Sequence, residues 1–277
     1  MSAEKTETRV AEPPPPPEPS ALVQGVENVG KGLTGMVTTF GGLATLAVDV
    51  FRWGVRPPYR LNNLFAQLDF VGVGSIFIVC LTGLFTGMVF AFQSASAFEL
   101  FDAESLVGPT VGITITRELA PVFAALMVTM RAGSAMCTEL GTMRVTEQVD
   151  ALETMAVNPV QYLLTPRVFS GLIMVPVLVM LFDTAGLSGA YFVSVTLKGI
   201  SAGTFMARTR QWLNVSDFSE GLIKGAVFGF TVVLICCFKG FNATGGAKGV
   251  GQATTEAMVT SALAIFILDF IVGVFLH

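Results

Sequence analysis

The sequence predicts an all-α membrane protein: an N-terminal interfacial or elbow helix, then five transmembrane helices, with a short polar helix between the second and third. Three observations lead there. Apolar residues make up 52% of the 277 and charged residues only 13%, about half the charged share of an ordinary soluble domain, and mean hydropathy is +0.69. Five stretches are long enough for a bilayer, which needs about 20 residues, and each carries at most one charge. Between the second and third, residues 139–155 turn polar while keeping helix-forming composition.

Residues 1–20 contain Pro13 to Pro17 and few apolar side chains, so a disordered tail is expected; they lack the apolar core and small-residue cleavage site of a signal peptide. Residues 21–60 form an interfacial amphipathic region. It is apolar but interrupted by Gly30, Gly32, Gly35, Gly41 and Gly42, and it ends in Arg52, Trp53, Arg56 and Arg60 around Pro57-Pro58. Tryptophan beside arginine is an interfacial signature. A sixth span over 33–50 is the alternative, since Asp49 is its only charge.

The rest, 61–277, forms the main domain. The first span, 70–98, has no charge. Arg117-Glu118 open the second, 119–138, at its outer end. Arg131 lies eight residues before Glu139, about 12 Å along a helix, and an ion pair with an acid of a neighbouring helix is expected for it. The third, 168–197, carries Asp183 and a Pro176 that allows a kink. The loop 198–219, with Trp212, is expected to hold a short interfacial helix. The fourth, 221–238, has Lys224 near its outer end; the fifth, 257–276, has Asp269. Gly83/Gly87 and Gly221/Gly225/Gly229 are small-xxx-small ridges that let helices approach closely, whether within one subunit or across a dimer. Five spans put the termini on opposite sides. A cytoplasmic N-terminus gives seven basic residues inside (Arg52, Arg56, Arg60, Arg144, Arg167, Lys239, Lys248) against four outside (Arg117, Lys198, Arg208, Arg210), in line with the positive-inside rule.

Several functions are excluded. A net charge of -4 without a basic stripe argues against nucleic acid. The four cysteines (Cys80, Cys137, Cys236, Cys237) have no zinc spacing and read as core residues. The sole histidine is His277, which leaves no Ser-His or Cys-His pair; no catalytic residue, metal or cofactor is assigned. Gly245-Gly-Ala-Lys-Gly249 is not a phosphate-binding loop, because the lysine spacing is wrong and no strand precedes it. Asp183-Thr-Ala-Gly186 echoes an aspartic-protease turn, but it occurs once and lies within a span.

In the polar segment, Val145, Val149, Leu152 and Ala156 fall on one helical face, Glu147, Asp150 and Glu153 lie around the rest, and Asn158-Pro159 ends the helix. On the residues alone it is either a solvated loop helix or a docking element.

Arg117-Glu-Leu-Ala-Pro-Val122, Arg131-Ala-Gly-Ser-Ala135, the run from Glu139 to Met155, Gly245-Gly-Ala-Lys-Gly-Val-Gly-Gln-Ala-Thr-Thr255 and Leu268-Asp-Phe270 stand in the order found in the MlaE/YrbE permease family, which the chain resembles from about Arg52 onward. The resemblance implies the membrane subunit of an ABC transporter moving phospholipid or a related lipid, without its own ATP site. It implies a separate ABC ATPase, an Mce-domain protein as outer carrier, a homodimer, and the inner membrane of a double-membraned bacterium with the C-terminus periplasmic. Arg117, Glu118 and Leu119, with Lys224, would border the lipid cavity. The polar segment would be a cytoplasmic coupling helix, touching the ATPase through Glu147, Gln148, Asp150, Leu152, Glu153 and Met155. Many members have an acid where Lys248 stands, which leaves its role open. The alternative is an ion- or proton-coupled transporter using Glu118, Asp183 and Asp269.

Overall fold

A computed structural model of the chain describes residues 21–57 and 61–276; the proline-rich tail, the turn at Pro58 to Arg60 and His277 lie outside them. All regular structure among the described residues is helical. The chain divides into two compact units, one up to Gly42 and one from Leu43 onward. In the first, residues 21–42 are helical, with Val37 and Phe40 exposed.

Eight helices are described: α1 (Ala21–Gly54), α2 (Leu61–Glu99), α3 (Glu104–Val145), α4 (Gln148–Thr154), α5 (Val160–Leu197), α6 (Ala202–Trp212), α7 (Val215–Phe241) and α8 (Gly246–Leu276). Five of them, α2, α3, α5, α7 and α8, are long and apolar enough to cross a membrane. Each of the five expected stretches lies inside one of these, and all five helices extend beyond it. The largest extension is in α3, which starts at Glu104 rather than near Leu119. Residues 107–116 are apolar apart from Thr110, Thr114 and Thr116, so they continue the span. The helix expected between Lys198 and Ser219 is α6, whose buried Phe205 packs beside Gly108 of α3.

Small residues fix how closely the helices approach. In α2, Ser75, Val79, Gly83, Gly87, Ala91 and Ala95 recur every fourth position and are all buried, a stripe that faces α5. A Cβ at Gly87 would lie 2.0 Å from the Gly186 carbonyl oxygen, and one at Gly83 2.9 Å from that of Phe182. On α7, a Cβ at Gly229 would meet the Gly171 carbonyl oxygen at 2.4 Å, and one at Gly221 the Thr116 carbonyl oxygen at 2.3 Å. Both ridges therefore pack within the subunit. The opposite face of α2 carries exposed Phe77, Phe85, Val89 and Phe92, as a lipid-facing surface requires.

Arg131 is held differently from the expectation. Its guanidinium donates to the Phe70 carbonyl at 2.5 Å and to the Ser75 hydroxyl at 3.1 Å, and lies over the Phe70 ring. Among the described residues no acid pairs with it. The arginine serves the broken turn around Gly72 in α2, whose open carbonyl needs a donor within an apolar span. Gly74 leaves room for it, since a Cβ there would sit 2.1 Å from the guanidinium.

Two helices widen to the π form just before a proline, at Ile115–Leu119 ahead of Pro121 and at Val160–Leu164 ahead of Pro166. Proline has no N–H for the carbonyl four residues back. The preceding residue compensates by reaching five back, Ala120 to Ile115 and Thr165 to Val160.

Candidate functional site

The first π turn carries Arg117 and Glu118, and two clusters of charge form around it. Arg117 donates from Nε to Asp217 Oδ1 at 2.7 Å and lies 3.6 Å from Glu220 Oε2. Asp217 is buried and also caps a helix. Its Oδ2 accepts from the Asn214 N–H at 2.8 Å, within the capping box that starts α7. The orphan donors of a helix start explain why an acid is found there. Neither Asp217 nor Glu220 stands out in the sequence. The signal available was Asn214 followed three residues later by Asp217, an N-cap pattern.

In the second cluster, Lys224 Nζ contacts Glu118 Oε2 at 2.8 Å and Asp269 Oδ1 at 3.2 Å. It thus joins α3, α7 and α8. Lys224 lies nine residues into α7, roughly 14 Å along the axis. Its side chain is 0% exposed, whereas Glu118 is 44% and Arg117 27% exposed. The lysine read as a headgroup contact is therefore engaged by two carboxylates, and Glu118 is the group that faces outward. Leu119, the other expected cavity residue, is half-buried against the core. Arg117 and Glu118 also lie well inside α3 rather than at its end.

The acids of the ion-coupled alternative are only partly brought together. Glu118 and Asp269 meet on Lys224, but Asp183 of α5 is buried and its Oδ1 has no hydrogen-bond partner. Among the described residues no group of His, Cys, Asp and Glu could hold a metal ion. Cys137, Cys236 and Cys237 are buried free thiols and Cys80 is half-buried.

At the other end of the spans, α3 stops at Val145, and Glu147 takes a left-handed conformation (φ 60°) that redirects the chain into α4. Val149 is fully buried and Leu152 packs partly against the core, so these two turn toward the spans, whereas Val145 belongs to α3 and Ala156, expected on the same face, lies past the end of α4, exposed at φ 57°. Leu152 is not an outward anchor. Glu147, Gln148, Asp150, Glu153 and Met155 are exposed, and Met155 is the one exposed apolar residue of the set. Asp150 accepts from Arg144 Nη1 at 2.5 Å, and Gln148 donates to the Thr146 hydroxyl. Asn158 Oδ1 accepts from the Val160 N–H at 2.9 Å and starts α5. Gly245 and Gly246, at φ 86° and 68°, form the turn before α8, and Lys248 is exposed on its first turn.

The chain matches the family described as Permease MlaE over residues 64–275. It is 38% identical over 251 residues to a probable ABC transporter permease protein of Rickettsia bellii, covering 91% of this chain and 97% of that one. A probable ABC transporter permease protein of Synechocystis is 41% identical over 213 residues, 76% of this chain and 81% of its own length. The Arabidopsis thaliana protein named TRIGALACTOSYLDIACYLGLYCEROL 1, chloroplastic, is 37% identical over 214 residues, 77% of this chain and 61% of the plant protein.

Proposed function

The chain belongs to the MlaE permease family, and from that premise we propose that it moves phospholipid as one half of a homodimer whose cavity is bordered by Arg117 and Glu118. As the permease of an ABC transporter it depends on a partner ATPase. The observation that carries the lipid reading is the 44% exposure of Glu118 inside an apolar membrane helix. A charge at that depth cannot face acyl chains without large cost, so it faces a polar cavity or a second subunit. Support for a dimer comes from α8: only 11% of its most apolar window is buried, while Asp269 and the buried Lys224 lie on its inner side.

The carrier on the outer side is an Mce-domain protein, the membrane is the bacterial inner membrane, and α4 is the cytoplasmic coupling helix. The N-terminus is cytoplasmic and the C-terminus periplasmic. The end of α1 lies along the cytoplasmic interface, a reading supported by Arg56, whose guanidinium sits 5.8 Å from the centre of the Trp53 ring.

Reconstitution tests the assignment. Proteoliposomes holding the permease and its ATPase should move labelled phospholipid only when ATP is supplied. Transport by the permease alone, driven by an ion gradient, would overturn the reading in favour of the ion-coupled alternative. Glu118→Gln tests the cavity. The amide can still accept from Lys224, so the fold should survive with a melting temperature within a few degrees, while transport falls about tenfold. Unchanged transport would remove Glu118 from the cavity. Reversing Arg117 is less informative, because a glutamate there would crowd against Asp217 and Glu220 and damage the fold itself.

A further inference from the structure

We propose that a cleft beside α4 receives a basic side chain of the partner ATPase, with Glu153 as its ionic contact, and that Asp150 is a positioning residue rather than a contact. The proposal rests on reading α4 as the coupling helix. The cleft, of about 460 Å³, is lined by Glu153, Val157, Asn158, Pro159, Val160 and Phe241. It therefore lies between the segment after α4 and the end of α7. It is shallow and open, its walls are part apolar and part polar, and Glu153 supplies its one carboxylate.

Charge separates the two acids of α4. Asp150 is already paired with Arg144, whose guanidinium also lies 5.8 Å from the centre of the Phe241 ring. Arg144 thus ties the end of α3 to α4 and to the end of α7. Glu153 is exposed and has no ion-pair or hydrogen-bond partner on its carboxylate among the described residues. An arginine or lysine fits this place best: its methylene stem covers Val157, Pro159 and Phe241 while its charged head reaches Glu153. An acidic side chain is repelled, and a purely apolar one leaves the carboxylate to be desolvated without a counter-charge. Because Phe241 is both a wall of the cleft and the surface under Arg144, a side chain seated there pushes on the same ring that Arg144 covers. Partner movement then reaches the ends of α3 and α7 together.

Titrating purified ATPase onto the permease in nanodiscs tests this, with the full-length chain and three variants. Glu153→Gln should weaken association about tenfold, and Val157→Trp, which fills the cleft, should weaken it at least as much. Asp150→Asn should leave association within about twofold, since Val149 and Leu152 still seat α4, but should lower lipid-stimulated ATP turnover. Arg144→Lys, which keeps a cation for both Asp150 and the Phe241 ring, should retain most of that turnover, whereas Arg144→Met should lose it with association again within about twofold, a split that damage to the fold would not give. Equal weakening by Asp150→Asn and Glu153→Gln would overturn the division of labour. Weakening by Val157→Trp with none from Glu153→Gln would overturn the ionic contact. No change with either cleft variant would overturn the cleft as the contact, and the coupling reading itself would fall only if Met155→Asp also left association unchanged.

Discussion

Replacing Lys224 with methionine should sharply lower the yield of folded protein, because it leaves Glu118 and Asp269 sharing a site with no counter-charge. Breaking a buried pair by removing one member costs about 3–5 kcal/mol. The lower end applies here, since Glu118 is partly exposed and keeps some solvation. The stability of an ordinary domain is about 5–15 kcal/mol, so a loss of this size would show as poor extraction and an early melt. Thermal unfolding in detergent measures it. The triple change Lys224→Met, Glu118→Gln and Asp269→Asn should recover most of the loss, because neutral groups need no counter-charge. If the single variant melts with the parent, the three residues do not hold α3, α7 and α8 together. A stable triple variant that moves no lipid would separate the cluster's structural role from its part in transport.

The second large effect is expected at Gly87. An alanine Cβ there would sit 2.0 Å from the Gly186 carbonyl oxygen, and neither helix backbone can rotate out of the way. Overpacking costs about 1–3 kcal/mol where side chains can adjust; a clash with backbone belongs at the top of that range or above it. Gly251 of α8 provides the contrast, because nothing lies within 4 Å of a Cβ built there. Gly251→Ala should be neutral or stabilising by up to about 1 kcal/mol through helix propensity alone. Melting curves of the two variants side by side decide the matter, and equal behaviour would refute the close crossing of α2 and α5.

Hydropathy made the five long helices legible in the sequence, because each apolar stretch has to satisfy its backbone within itself. It did not reveal where α3 begins. Arg117 and Glu118 looked like a span boundary, since their counter-charges lie 100 to 106 residues away in sequence and no local pattern announces them. Pro121 was the overlooked clue, for a proline four residues after Arg117 means a disturbed turn at that arginine. Periodicity grouped Val149 with Leu152 correctly but could not say which way the face points. A short helix beside a span hides its apolar side from water just as a docking helix would hide it in a partner. Arg131 also resisted the sequence reading, because its acceptor is a backbone carbonyl freed by the broken turn near Gly72.

The way the charges of α7 and α8 are matched also bears on biogenesis. Lys or Asp at the centre of a lone helix raises its insertion free energy by about 2.5–3.5 kcal/mol, and α7 carries Lys224 while α8 carries Asp269. Only residues 242–245 separate the two helices, and Lys224 meets Asp269 toward one end of the pair while Lys239 meets Glu256 at 3.0 Å toward the other. Entering the bilayer as a hairpin, the two helices would neutralise each other's charge before either faced lipid alone. The translocon would then release them as one unit, leaving α3 to bring Glu118 to a lysine already in place.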